Sequence, residues 1–300
     1  AGASAFTLSK DSDAPTGSGF TSSWKIDVTT ADASLAADDS VQILQQIEAQ
    51  NLQRIKKGTS SAESLTLSFW IKSSVTGTYI VEWYEHDNNR HINKSYTISS
   101  ANTWEFKTIT IPGDTTGVIA NDNGAGIQLS WWLMAGTDYN PDGGTLQTSW
   151  GALSQTGRAV GQVNAVNDAA NNIYLTGVQL EVGQAATDFE HEDYATTLRK
   201  CQRYYELFGT PFYLSASNLS FQFLSNNFTS SSCWVELEYA VEKRADTNTV
   251  AFLNGFAWTA TPDGSAVDAR GVTFFKNTAY YATATGDKSD LPVFEIESEL

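Results

Sequence analysis

The chain has 300 residues, 41% of them hydrophobic and 12% aromatic, enough for roughly two domains or for a large β-sandwich plus a smaller unit, and too much to leave most of the chain disordered. The net charge of −16 opposes phosphate backbones, and the basic cluster Arg54, Lys56, Lys57 is too short to offset it, so nucleic-acid binding is not expected. No apolar run reaches the length of about 18 residues that a helical membrane span needs, so no membrane insertion is expected.

Ala1 to Leu8 carry neither the basic nor the apolar region of a signal peptide, and the absent initiating Met is what a processed or trimmed piece of a longer chain would show. Cys201 and Cys233 are too few for a disulfide framework or a zinc site, and both are expected as free, buried thiols.

Along the chain, period-two alternation dominates. Val41 to Lys57 has helix-compatible spacing through Ile43, Ile47, Leu52 and Ile55, and is equally readable as a strand and a turn. Ser64 to Ser73 puts Leu65, Leu67, Phe69 and Ile71 on one side and Thr66, Ser68, Trp70 and Lys72 on the other. After a turn at Gly77, Thr78 to Tyr84 places Tyr79, Val81 and Trp83 on one side. Glu85 to Asn93 reads as a polar hairpin loop. Trp104 to Ile111 is a strand stopped by Pro112-Gly113. Ile127 to Met134 sets Ile127, Leu129, Trp131 and Leu133 against Gln128, Ser130, Trp132 and Met134. Gly151 to Asp168 has no period and reads as a long surface loop, and Ile173 to Val182 closes the series. Many strands with polar turns and few helices predict an antiparallel sandwich.

A helix is predicted next. Tyr194, Leu198, Cys201 and Tyr205 recur at helical spacing, with Asp193 at the start and Arg199, Lys200 and Arg203 late, until Gly209-Thr210-Pro211 ends it. Strands then resume at Leu219 to Leu224, Cys233 to Val241, Val272 to Phe275 and Val293 to Ile296. The expected class is mainly β, with a sandwich over residues 1–190, a linking helix over 191–208 and a smaller β-rich domain over 209–300.

Signals for chemistry are weak. His86, Asp87 and His91 share the predicted polar loop, without the third ligand and rigid frame of a metal site. Asp188 to Asp193 is rich in carboxylates but runs into the helix, where the fixed pair needed for glycoside hydrolysis is not built. No nucleophile elbow, phosphate loop or dinucleotide fingerprint is present. Asp11-Ser12-Asp13 and Asp38-Asp39 could face calcium, but neither continues into an EF-hand loop and turn chemistry accounts for both. Neither a metal nor a cofactor is predicted, and no enzyme activity. The aromatics say more: Trp70, Tyr84 and Trp132 fall on the side of their strands away from the aliphatic rows. Such rings are covered by a loop or second layer, meet another subunit, or stack on a sugar.

Two stretches carry a resemblance. Ser22 to Val28, Leu65 to Lys72 (LTLSFWIK), Asn102 to Glu105 and Ile173 to Val182 (IYLTGVQLEV) resemble strands of a carbohydrate-binding-module type of jelly roll. That family often has an Asp before its final hydrophobic pair, sometimes a calcium ligand; Thr176-Gly177 stand there instead. Gly177 to Glu206 resembles a junction of bacteriophage tail fibres and related surface fibres. The matching elements are Gly177 to Gly183, Ala186 to His191, Tyr194, and Cys201-Gln202-Arg203-Tyr204-Tyr205. The usual continuation, HRSYGEEL, is here His191 to Leu198 (HEDYATTL). Ile296 to Leu300 is similar to the "DAEL" end of such proteins, which implies a native C-terminus.

The resemblance implies a non-enzymatic structural protein on the tail or capsid surface of a virion, assembled in the host cytoplasm. Its implied partners are its own copies in a homotrimer, other virion proteins and a host cell-surface glycan. In a trimer, Tyr194, Leu198 and Tyr205 would be the oligomer contacts; otherwise the helix packs on its own sandwich. Trp70, Tyr84 and Trp132 would be glycan or subunit contacts. The alternative is a secreted carbohydrate-binding module of a polysaccharide-degrading system.

Overall fold

The computed structural model describes residues 4–209 and, beyond them, the strands Cys233–Glu238, Thr249–Leu253, Gly264–Val267, Gly271–Lys276 and Val293–Glu297. The chain divides into two compact units, Ala1–Glu190 and His191–Leu300. The first is an antiparallel β-sandwich of two five-stranded sheets. One sheet runs β1 (Ala5–Asp11), β2 (Ser23–Thr30), β10 (Asn172–Val182), β4 (Leu65–Ser73), β7 (Glu105–Ile111). The other runs β3 (Ser40–Glu48), β8 (Ala125–Ala135), β5 (Gly77–Glu85), β6 (Arg90–Ile98), β9 (Gly151–Ala152).

The aliphatic rows expected from alternation fill the space between the sheets. Leu67, Phe69 and Ile71 of β4 meet Val81 and Trp83 of β5 and Leu129, Trp131 and Leu133 of β8, all essentially without accessible surface. Phe69 packs edge-on against Trp131 (5.8 Å between centroids) and Tyr96 (5.3 Å). Each such side chain contributes about 1.5–3 kcal/mol by leaving water.

Three local expectations need correction or completion. Val41 to Lys57 takes the strand-and-turn form: Val41, Ile43 and Ile47 keep period two in β3, then Ala49, Leu52 and Ile55 recur every third residue and form one buried side of a 3-10 helix, Ala49–Ile55. The connection through Gly77 is not a hairpin. β4 and β5 lie in different sheets, so it crosses the sandwich. The polar loop expected over Glu85 to Asn93 shrinks to the residues between β5 and β6, and Arg90 to Asn93 belong to a full strand.

Residues 136–171 are largely irregular: Tyr139, Leu146 and Ala159 lie over the outer side of the second sheet, whereas Val166 O and Asn171 O accept from the N–H groups of Asp32 and Val28. β5 pairs with β8 only from Val81↔Trp131 to Glu85↔Ile127. Where the two strands part, the end of this segment fills the gap: Val163 N–H donates to Thr78 O (2.9 Å) and Ala165 N–H to Leu133 O (2.8 Å).

In the second unit, α1 (Tyr194–Gln202) starts at Asp193, whose carboxylate accepts from the Thr196 N–H (3.0 Å) and hydroxyl (2.7 Å). The helix is shorter than the 191–208 expected. Tyr205–Gly209 forms a strand, β11, because Tyr205, Leu207 and Phe208 are strand formers that find a partner in Val293–Glu297. Numbering the later strands β12 (Cys233–Glu238), β13 (Thr249–Leu253), β14 (Gly264–Val267), β15 (Gly271–Lys276) and β16 (Val293–Glu297), the sheets are β11-β16-β13 and β12-β15-β14. The strand expected at Leu219 to Leu224 and the residues after Glu297 lie outside the described residues. Cys201 is exposed on α1, not buried as expected, because no side chain of this short helix is buried. Among the described residues, no helix is long and apolar enough to cross a membrane.

Candidate functional site

The outer side of the second sheet has a sealed half and an open half. In the sealed half, Trp132 stands on β8 with Ile80 beside it on β5, and the 136–171 segment lays Tyr139, Leu146 and Ala159 over them. Tyr139 lies 5.3 Å from the Trp132 ring, and the Arg158 guanidinium sits over the same ring at 5.1 Å. Arg158 also grips Glu82 with two nitrogens, Nε to Oε1 at 2.9 Å and Nη2 to Oε2 at 2.8 Å. Glu82 and its neighbour His91 are fully buried. His91 Nε2 accepts from Ser154 N–H (3.2 Å), which leaves Nδ1 to carry the proton and donate to Glu82 Oε1 (2.9 Å). Burial alone pushes the Glu82 carboxyl up, but the hydrogen bonds from His91 and Arg158 outweigh it and hold the group below the ordinary 4.5.

The open half is a cross-strand row. Gln46 of β3 stands opposite Gln128 of β8, and Gln128 opposite Tyr84 of β5. The amides are bonded across and along the strands: Gln46 Nε2 donates to Gln128 Oε1 within the row (3.2 Å), and Gln128 Nε2 to Ser130 Oγ, the next residue on this side of β8 (3.0 Å). Tyr84 is half-buried, with its ring 4.7 Å from that of His86 and its hydroxyl donating to Asn89 Oδ1 (2.8 Å). Leu44, 55% exposed, borders the row opposite Ser130. The strip thus combines an aromatic ring, an apolar edge and amides that both donate and accept, with no charged side chain in the row.

The structure separates the three aromatics expected to act together. Tyr84 is on the open strip. Trp132 is on the same side of the same sheet but has no accessible surface, so the expectation of a glycan or subunit contact there is corrected: its own chain covers it. Trp70 is on the outer side of the other sheet, packed on Phe106 (5.3 Å). Phe20 also approaches it. A Cβ on Gly177, whose φ is +60°, would lie 2.6 Å from the Phe20 ring and 3.3 Å from Trp70. The expected oligomer set divides too. Tyr194 (80% exposed) and Leu198 (40%) share α1, whereas Tyr205 (43%) belongs to β11 and not to the helix face.

Two groups escaped sequence reasoning. His91 was expected in a solvated loop but is buried on β6, held by Glu82 and Ser154. Glu82, Arg158 and Lys57 were not singled out as a site. A charged residue inside the apolar run Ile80-Val81-Glu82-Trp83 was the available signal, since such a residue needs a partner. Among the described residues, no group of three His, Cys, Asp or Glu side chains is placed to hold a metal ion. The Asp-rich turns are engaged locally: Asp13 pairs with Lys72 and accepts from Trp104 Nε1 (2.8 Å), and Asp39 accepts from Ala36 N–H (2.7 Å).

No family model matches the chain, and no curated protein does. Among solved structures, it is similar to the enzymatically active domain of bacteriophage CBA120 tailspike protein 4, with TM-score 0.33 and 14% identity over 59% of this chain and 18% of that one. It is also similar to a CBM4 structure, with TM-score 0.31 and 16% identity over 60% of this chain and 80% of that one. The chain thus spans less than a fifth of the tailspike domain's length, and at these scores neither likeness carries a function across.

Proposed function

We propose that the first unit is a non-enzymatic glycan-binding sandwich, displayed by a trimeric structural protein of a bacteriophage virion to attach the particle to its host. The observation that carries the binding role is the strip Gln46–Gln128–Tyr84. Sugar rings offer C–H faces to an aromatic and hydroxyls to amides, and this row presents both side by side on a rigid sheet. The uncharged row on a chain of net charge −16 favours a neutral glycan over an acidic one. Glu82, two residues before Tyr84 on the same side of β5, is buried and held by Arg158 and His91, which argues against its use in hydrolysis. The fibre role rests on the junction at Gly177 to Glu206, and multiple copies would raise the weak affinity of one shallow strip.

The test is binding of the full chain to a panel of neutral and acidic polysaccharides, beside Tyr84→Ala and Gln128→Ala. A neutral glycan that binds the wild type and binds Tyr84→Ala roughly tenfold more weakly, about 1.4 kcal/mol, is the expected result. A folded protein that binds none of the panel sinks the binding role. A monomeric mass in light scattering sinks the fibre role and leaves the secreted carbohydrate-binding module.

A further inference from the structure

In the sandwich a single ammonium group is ringed by oxygens from two separate segments. Lys57, just past the 3-10 helix, is 2% exposed at its side chain. Its Nζ lies 2.8 Å from Gly117 O, 2.9 Å from Thr116 O, 3.2 Å from Glu85 Oε2 and 3.3 Å from Asp114 Oδ2. Glu85 and Asp114 are 0% and 3% exposed at their side chains. Four acceptors face three N–H bonds, so the ring has more oxygens than an ammonium can satisfy. Two carboxylates and two carbonyls are the hard oxygen donors that calcium takes, at about 2.3–2.6 Å.

The surroundings are built to bring these oxygens together. Gly58 and Gly117 both have left-handed backbones, φ +81° and +76°. A Cβ on Gly58 would lie 2.7 Å from the Gly117 carbonyl, and one on Gly117 would lie 2.5 Å from the Asn88 side chain. A side chain at Gly58 would push the Gly117 carbonyl away, and one at Gly117 would displace the side chain of Asn88, the residue whose N–H holds Glu85. The carboxylates are fixed from outside as well: Asn88 N–H donates to Glu85 (3.1 Å), and Arg90 grips Asp114 through Nε (2.7 Å) and Nη2 (3.0 Å).

We propose that Lys57 is a tethered cation in a divalent-type oxygen cage: it joins the end of β5, the 112–118 segment and the 3-10 helix as a bound ion would, and removing its ammonium opens a site for calcium. Charge supports the exchange. With Arg90 counted, the cage sums to zero with Lys57, to −1 without it and to +1 with a divalent ion in its place, so either occupant leaves at most one unit uncompensated.

The experiment compares the full chain with Lys57→Ala and Lys57→Ala/Glu85→Gln, each in EDTA and in millimolar calcium, by thermal melting and by terbium luminescence. The Trp150 ring, 5.9 Å from Nζ, is placed to sensitise bound terbium. The wild type is expected to melt at the same temperature in both buffers and to give no sensitised emission from the cage. Lys57→Ala is expected to melt lower in EDTA, to regain about 5 °C or more in calcium, and to light up with terbium that calcium displaces. The double variant is expected to lose both responses. A Lys57→Ala chain whose melting and luminescence ignore these ions overturns the inference, and so does one that stays unfolded with calcium present throughout expression and refolding.

Discussion

Trp132 is the residue whose surroundings most change its expected role. It points away from the space between the sheets, yet the Arg158 guanidinium, Tyr139 and Leu146 enclose it. Truncation there removes a large buried ring and leaves the Arg158 guanidinium with the Tyr139 ring alone, 5.9 Å away. Trp132→Ala should therefore cost about 3–5 kcal/mol in urea unfolding, with the mass in light scattering unchanged. The Glu82 and Asp114 carboxyls make a second prediction at this scale. Burial raises both, but Glu82 is held down by His91 and Arg158, and Asp114 by Arg90, the Thr116 N–H and Lys57. Both titrate lower folded than unfolded. Their stabilisation is complete above the ordinary values of 4.5 and 3.8 and is lost as pH falls through the lower folded values. The first unit should lose stability steeply below about pH 4. Glu82→Gln should flatten that loss when unfolding is measured from pH 7 to pH 3.

Among elements, the strands of the sandwich were legible and the irregular covering was not. Rows such as Leu65, Leu67, Phe69, Ile71 declare their inner side, because period two leaves one arrangement that buries them all. Alternation names a side but not what lies over it, so Trp132 on one sheet and Trp70 on the other looked alike. Residues 136–171 have no period because their backbone groups bond at scattered points, such as Gln147 O to Asn93 N–H (2.8 Å), Val163 N–H to Thr78 O (2.9 Å) and Gly161 N–H to Asn140 Oδ1 (2.8 Å), rather than in register along one neighbouring strand. β6 was missed in part because Arg90, His91 and Asn93 are polar. Each is paid for by a partner distant in sequence: Asp114, Ser154 and Gly157. Of the candidate strip, Tyr84 was legible by phase, while Gln46 and Gln128 needed the strand order to bring them beside it. For α1, the Asp193 cap was legible from composition, but the end at Gln202 was not, since Tyr205 fits a helix stripe and a strand equally. Asp193→Ala should speed amide exchange across Tyr194–Gln202 while leaving the melting of the sandwich unchanged, because the cap touches only the first turn.

At the scale of the whole molecule, the placement of β10 constrains how the protein comes into being. β10 lies between β2 and β4, bonded to β2 through Ile173↔Ile26 and to β4 through Leu175↔Ile71 and Leu180↔Leu67. It is also the last strand of its unit to be made. Until it emerges, the β1–β2 pair and the β4–β7 pair share no backbone bond and each shows a bare edge. Roughly 60 residues separate the end of β7 from the start of β10, so a ribosome needs about 3–12 s to deliver the missing strand once both pairs exist. The nascent chain must hold two half-sheets apart from other chains for that interval. A chain released just before β10 should precipitate, and one released just after it should stay in solution, a contrast that a pair of truncations can read by centrifugation.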